Sequence, residues 1–166
     1  LEKYAKAVDC FSKSLPTWQQ AGDLENEAVA LSDLGTGYSG LEQYAKSLDY
    51  HHQAMVIFKE VSDKPRLANE LIALGNVYTH LTQHTEAIDS YHQALPVYRE
   101  TGNRDGEAKI IDNIGIVYNA QKLYPKAIAY YQRALPMFIL AGDQSGEAGD
   151  LCDLMASSAA LKEPDI

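Results

Sequence analysis

The chain has 166 residues, of which 46% are hydrophobic, enough for a full core, so disorder is excluded as its main state. With 23 Asp and Glu against 14 Lys and Arg, its formal net charge of -9 argues against nucleic-acid and anionic-membrane binding, both of which need a basic footprint, while a basic partner is allowed. Two cysteines far apart in sequence, Cys10 and Cys152, make no disulfide framework and point to a reducing, cytoplasmic setting, and no apolar run is long enough to span a bilayer.

Cut after residues 40, 80, 120 and 160, the chain repeats itself without gaps. The first row opens with a predicted helix near 2–20, in which Tyr4, Ala7, Val8, Phe11, Ser14, Leu15 and Trp18 share one face. Gly22-Asp23 then supplies a left-handed helix end and a cap for the next start. The second helix carries Ala28, Leu31, Leu34, Gly35 and Tyr38 on one face, and the third returns to the first pattern from Tyr44. Ser62-Asp63 leads into a helix with Ala68, Leu71, Leu74, Gly75 and Tyr78, followed by one with His84, Ala87, Ile88, Tyr91, Ala94, Leu95 and Tyr98. Gly102-Asn103 opens the last pair, whose first helix repeats the face as Ala108, Ile111, Ile114, Gly115 and Tyr118, and Gly142-Asp143 leads into a closing helix near 145–160. Glu25, Glu27, Asp105, Glu107 and Glu147 suit the positive ends of their helices, and Pro65 and Pro125 suit first turns. Pro16, Pro96 and Pro136 fall inside the longer helices, where each removes a backbone bond and is expected to bend or break the helix.

Leu71, Leu74-Gly75 and Tyr78, followed by Ala87, Tyr91 and Ala94, resemble the tetratricopeptide repeat signature. The rows before and after carry it as Leu31, Leu34-Gly35, Tyr38, Ser47, His51, Ala54 and as Ile111, Ile114-Gly115, Tyr118, Ala127, Tyr131, Ala134. The forty-residue spacing is similar to arrays in kinesin light chains, Pins-type adaptors, Rap-type regulators and cyanobacterial proteins. Two departures stand out: His51 replaces an aromatic, and Met155 and Ser158 stand where Gly and Tyr belong. The resemblance implies an all-α fold, a right-handed α-solenoid of antiparallel helix pairs, as one array over 1–166 that starts at the second helix of a repeat and ends in a capping helix. Neighbours must share their apolar stripes, since no single pair buries its own. Pro164 reinforces the expected stop.

No catalytic constellation is visible, so an enzyme is not expected. His52 and His92 recur at one row position as packing or surface residues, and the turn between His80 and His84 spoils a zinc pair, so neither metal nor cofactor is expected. Cys152 reads as a small core-like residue, and Asp112, Asp150 and Asp153 as a solvated helix face. The tyrosines fall in the repeat stripes and read as core.

The resemblance places partner contacts on the non-repeating positions of the Leu-Gly-Tyr helices, which line a concave groove. These are Asp33 and Thr36; Asn69, Ile72, Asn76 and Thr79; and Lys109, Asp112, Asn113, Ile116 and Asn119. The Lys, Asn and Arg clamp that grips chaperone C-termini is absent: Asn76 and Asn113 stand at its asparagine positions, but Ile72, Gly149 and Asp153 replace its cations. The asparagine amides suit a peptide backbone, and Asp33, Asp112 and Asp153 favour basic residues beside apolar anchors for Ile72 and Ile116. The expected function is a scaffold that binds a peptide or helix of a protein partner; the alternative is a regulatory or sensor segment of a larger signalling protein. Leu1, Tyr4 and Val8 also suit an end-to-end homodimer.

Overall fold

The computed structural model describes residues 1–162, which form α1 (Glu2–Ala21), α2 (Leu24–Gly40), α3 (Tyr44–Glu60), α4 (Lys64–His80), α5 (His84–Glu100), α6 (Arg104–Ala120), α7 (Tyr124–Ala141) and α8 (Gln144–Lys162). The turn chemistry holds at every expected site. Gly22, Gly102 and Gly142 lie at φ 66–73°, and Ser62 takes the same left-handed conformation at 59°. The residue after each accepts a backbone N–H of the next helix: Asp23 from Asn26 at 3.1 Å, Asp63 from Arg66 at 3.0 Å, Asn103 from Gly106 at 2.9 Å and Asp143 from Gly146 at 3.1 Å. The other three turns use Glu42, Thr82 and Lys122 at φ 58–59°, a left-handed position that no glycine announces.

Pro16, Pro96 and Pro136 break nothing. Each lies within a continuous helix, α1, α5 or α7. A proline strands the carbonyl four residues earlier, and here those are Ser12, His92 and Gln132, all exposed, so water can take over the missing bond. Pro164 lies outside the described residues.

The helices form two compact units, one over Leu1–Gln83 and one beginning at His84. In the first, α1 packs on α2, α2 on α3 and α3 on α4; in the second, the order α5, α6, α7, α8 repeats this, and turns of two or three residues make the neighbours antiparallel. The stripes form the cores: Ala28, Leu31, Leu34, Ala54 and Phe58 in the first, Ala108, Ile111, Ile114, Ala134 and Phe138 in the second. Gly35 and Gly115 let a ring approach the helix backbone, since a Cβ would meet the His51 ring at 2.8 Å and the Tyr131 ring at 2.6 Å. The repeated tyrosines are only half-buried. Tyr38 stacks on Tyr50 at 5.3 Å with the Lys46 ammonium over the Tyr38 ring, and Tyr118 meets Tyr130 at the same distance but tilted by 36°, with Lys126 over the Tyr118 ring.

Two buried positions lie off the expected stripe. One holds Gly37, Val77, Val117 and Ser157; the other holds Ala30, Glu70, Ile110 and Asp150. The second is where the carboxylates enter the interior. The Glu70 Oε2 sits 2.7 Å from His51 Nδ1, and Oε1 accepts the Ser32 hydroxyl, so this core carboxylate is satisfied on both oxygens.

Breaking this layer from one side is expected to cost more than replacing it. Glu70→Ile leaves the His51 nitrogen buried without a partner and should lose about 1–3 kcal/mol. His51→Phe with Glu70→Ile rebuilds the apolar layer that Tyr91 and Ile110 supply elsewhere, and should return to within about 1 kcal/mol of wild type. Urea unfolding of the two variants checks the order; a double variant weaker than the single one would contradict it. Thr82→Gly, which relieves a β-branched residue at φ 58°, should add about 0.5–1 kcal/mol in the same assay.

Candidate functional site

None of the eleven positions expected to face a partner is fully buried. Asp33, Thr36, Asn69, Ile72, Asn76 and Thr79 belong to α2 and α4 of the first unit; Lys109, Asp112, Asn113, Ile116 and Asn119 belong to α6 of the second.

In the first unit, Thr36 and Asn76 come together around a cavity of about 400 Å³. Its aromatic wall is Tyr4, Tyr44 and His80, the last two stacked at 5.1 Å, and Ser39 and His51 add polar groups. Tyr4 reaches it because Gly40 leaves room: a Cβ there would lie 2.4 Å from the ring. Of the residues expected to meet a second copy, Leu1 and Tyr4 are exposed and Val8 is half-buried, and Tyr4 and Val8 also pack against Gly40 and Gly37. Asp33 and Asn69 line a second cavity, about 200 Å³, together with Ser32, Arg66 and Glu70. Burial, then the Glu70 charge, raises the Asp33 carboxyl above the usual carboxylate range. The buried His51–Glu70 pair therefore has His51 on the wall of one cavity and Glu70 on the wall of the other. Ile72 and Thr79 lie half-buried on α4, where the Thr79 hydroxyl donates to the Gly75 carbonyl at 2.8 Å.

In the second unit, Lys109 pairs with Asp105 at 2.7 Å and Asp143 at 3.4 Å. Asn119 accepts the Ser157 hydroxyl at 3.1 Å, Asn113 is half-buried, and Ile116 is exposed. Asp112 faces Asp150, and here two sequence expectations fail. Asp150 is not on a solvated face: it is 1% exposed, at the position that Glu70 holds in the first unit. Cys152 is not core-like but exposed, because α8 packs only on α7 and α6 among the described residues and no helix covers its far side.

Neither Asp150 oxygen meets a donor among the described residues, nor do Asp112 Oδ1 and the Tyr131 hydroxyl, which is buried beside them. Burial first, then the facing Asp112 and the charge of Asp153, push Asp150 up to about 8. Burial, and then Asp153, also raises Asp112, against the contact with Asp150, which lowers it. A neutral Asp150 carboxyl is thus the donor that the facing Asp112 lacks. The sequence signal for this layer was the register itself: Asp112, Tyr131 and Asp150 stand two rows after Ser32, His51 and Glu70.

The tetratricopeptide repeat family model matches residues 1–60 and 66–139. No curated protein sequence matches significantly. Among solved structures, apo RapI is similar with a TM-score of 0.85 and 19% identity, over 97% of this chain and 45% of RapI. Putative kinesin light chain repeats from Podospora anserina match at 0.79 and 12% identity, over 96% of this chain and 79% of theirs. The Rap conjugation gene regulator of plasmid pLS20, in complex with the Phr* peptide, matches at 0.78 and 15% identity, over 87% of this chain and 40% of that one. The chain spans less than half the length of the two Rap proteins, and the likeness to all three is one of fold. No helix among the described residues is long and apolar enough to cross a membrane.

Asp150 makes stability depend on pH. Its carboxyl is raised in the folded chain, so its stabilising contribution is complete below the ordinary value of 3.8 and is lost up to about 8, at about 1.4 kcal/mol per pH unit. Asp150→Asn, whose amide donates to Asp112 without titrating, should gain on wild type increasingly from about pH 6 to about pH 8 and no further above it. Urea unfolding across that range checks this; a gain that ignores pH would mean that Asp150 ionises as an ordinary surface carboxylate.

Proposed function

Because the chain belongs to the tetratricopeptide repeat family, we propose that it is a protein-interaction scaffold that holds a peptide or helix of a partner on its Leu-Gly-Tyr helices, without catalysis. The observation that carries this is the cavity of the first unit, in which Thr36 and Asn76, two positions that vary while the stripes repeat, open beside Tyr4, Tyr44 and His80. Such a wall takes an apolar or aromatic side chain, and an asparagine amide beside it both donates to and accepts from an extended backbone. The net charge of -9 and the carboxylates of Asp33 and Asp112 favour a partner with basic residues next to those anchors. The pLS20 regulator, similar in fold, is in complex with a peptide, which supports peptide binding as the class of function.

A second reading is favoured by one observation: the chain covers 45% of RapI and 40% of the pLS20 regulator, so this array suits a regulatory segment of a larger signalling protein. The setting is cytoplasmic in either reading, which suits two exposed free thiols, Cys10 and Cys152.

Selection of a displayed peptide library on the whole chain tests the first reading. Enriched peptides should carry an apolar anchor with Lys or Arg nearby. Thr36→Ala with Asn76→Ala, both at exposed positions, should weaken them at least tenfold with helicity intact. Unchanged affinity would remove this cavity as the contact.

A further inference from the structure

Two layers occupy the same register in the two units, and they differ in one respect. In the first, Ser32 on α2, His51 on α3 and Glu70 on α4 match donors to acceptors: the carboxylate takes the histidine on one oxygen and the hydroxyl on the other. In the second, α6 supplies Asp112, α7 Tyr131 and α8 Asp150. An acid has replaced the serine and a phenol the histidine, so the layer holds two facing carboxyl groups in place of one. Asp150 is 1% exposed and no protein donor reaches either of its oxygens, so its one polar neighbour is the facing Asp112; the Tyr131 hydroxyl, on a fully buried residue close enough to feel the charges of all three carboxyls, has no partner among the described residues. Asp153, one turn along α8, adds a further acid, and it and Asp112 are only half-buried, so the layer reaches solvent along that edge. Among the described residues no Lys or Arg pairs with any of the three, and Lys109 on α6 is engaged by Asp105 and Asp143.

We propose that Asp112, Tyr131, Asp150 and Asp153 form a binding site for one cationic head group, the guanidinium of an arginine or the ammonium of a lysine carried by the protein partner. The proposal rests on the reading of the chain as a protein-binding scaffold, but at a site of its own. A planar guanidinium supplies what the layer lacks: several donors in one plane and a positive charge that lets both carboxylates ionise together. The Tyr131 oxygen accepts one of its N–H groups, the role open to a phenol between two acids. Without the cation, a proton does the same work less completely, held by Asp150 and offered to Asp112. The two compete: when the cation enters, the proton leaves Asp150 for water. The groups facing Asp150 that govern this exchange are Asp112 from α6, Tyr131 from α7 and Asp153 from its own helix.

The test uses the whole chain and short capped peptides, Ac-Gly-Arg-Gly-NH2 and its citrulline counterpart, which has nearly the same shape and no charge. NMR shifts of the Tyr131 ring and of the Asp112, Asp150 and Asp153 carboxyl carbons are followed in titrations to millimolar peptide. The arginine peptide should move these signals saturably, the citrulline peptide should not, and the apparent affinity should fall about tenfold from pH 7 to pH 6, where the proton competes. Asp112→Asn should reduce the affinity at least tenfold. Equal response to the citrulline peptide, full affinity in Asp112→Asn, or affinity that ignores pH would each overturn the site. None of these outcomes touches the library selection at the first-unit cavity.

Discussion

A ring laid against a glycine sets the spacing of the helix pairs, and the packing described in each unit follows from it. With Cβ positions that would fall 2.6–2.8 Å from His51 and Tyr131, nothing larger than Gly35 or Gly115 fits without a shift of the ring. That approach brings the third helix of each triplet close enough for its own residue, Glu70 or Asp150, to lie wholly inside. In a layer this tight a buried polar group is costly unless it is hydrogen-bonded, so the match of donors to acceptors decides what each layer is worth.

The first unit solves this with its own residues. A buried carboxylate is expensive to desolvate, and only good geometry at both oxygens recovers the loss, which the His51 and Ser32 contacts supply. The second unit leaves the equation open with two acids and a phenol. The same scaffold thus carries one closed polar layer and one acceptor-rich layer at equal register. A repeat architecture permits this because each layer contacts only its neighbours and can change without disturbing the rest.

Function in such a chain separates along the helix surface. Residues that recur hold the stripes together, while Thr36, Asn76, Asp33 and Asn69, which do not recur, border open cavities of the first unit. The proposed preference for basic partners rests on the sign of the groups left at the edges, with Asp33 and Asp112 both raised by burial and hence poised to gain from a cation nearby.

The sequence by itself determined the helices, their turns and their order, because these depend on local chemistry: the 3.6-residue stripe, Gly or Ser followed by Asp or Asn, and a period that never slips. It also placed Thr36, Asn76, Asp33 and Asn69 on open faces, since non-repeating positions escape the packing. It misread Asp150 and passed over Glu70, because a carboxylate on a helix is ordinarily solvated and only packing shows whether another helix closes over it. It left a bend or a break open at the internal prolines, because their cost depends on whether water reaches the stranded carbonyl, and it misjudged Cys152 because burial depends on which helix packs next. Burial and charge balance are properties of pairs far apart in the chain, Ser32 with Glu70 or Asp112 with Asp150, and only the tertiary structure brings those pairs together.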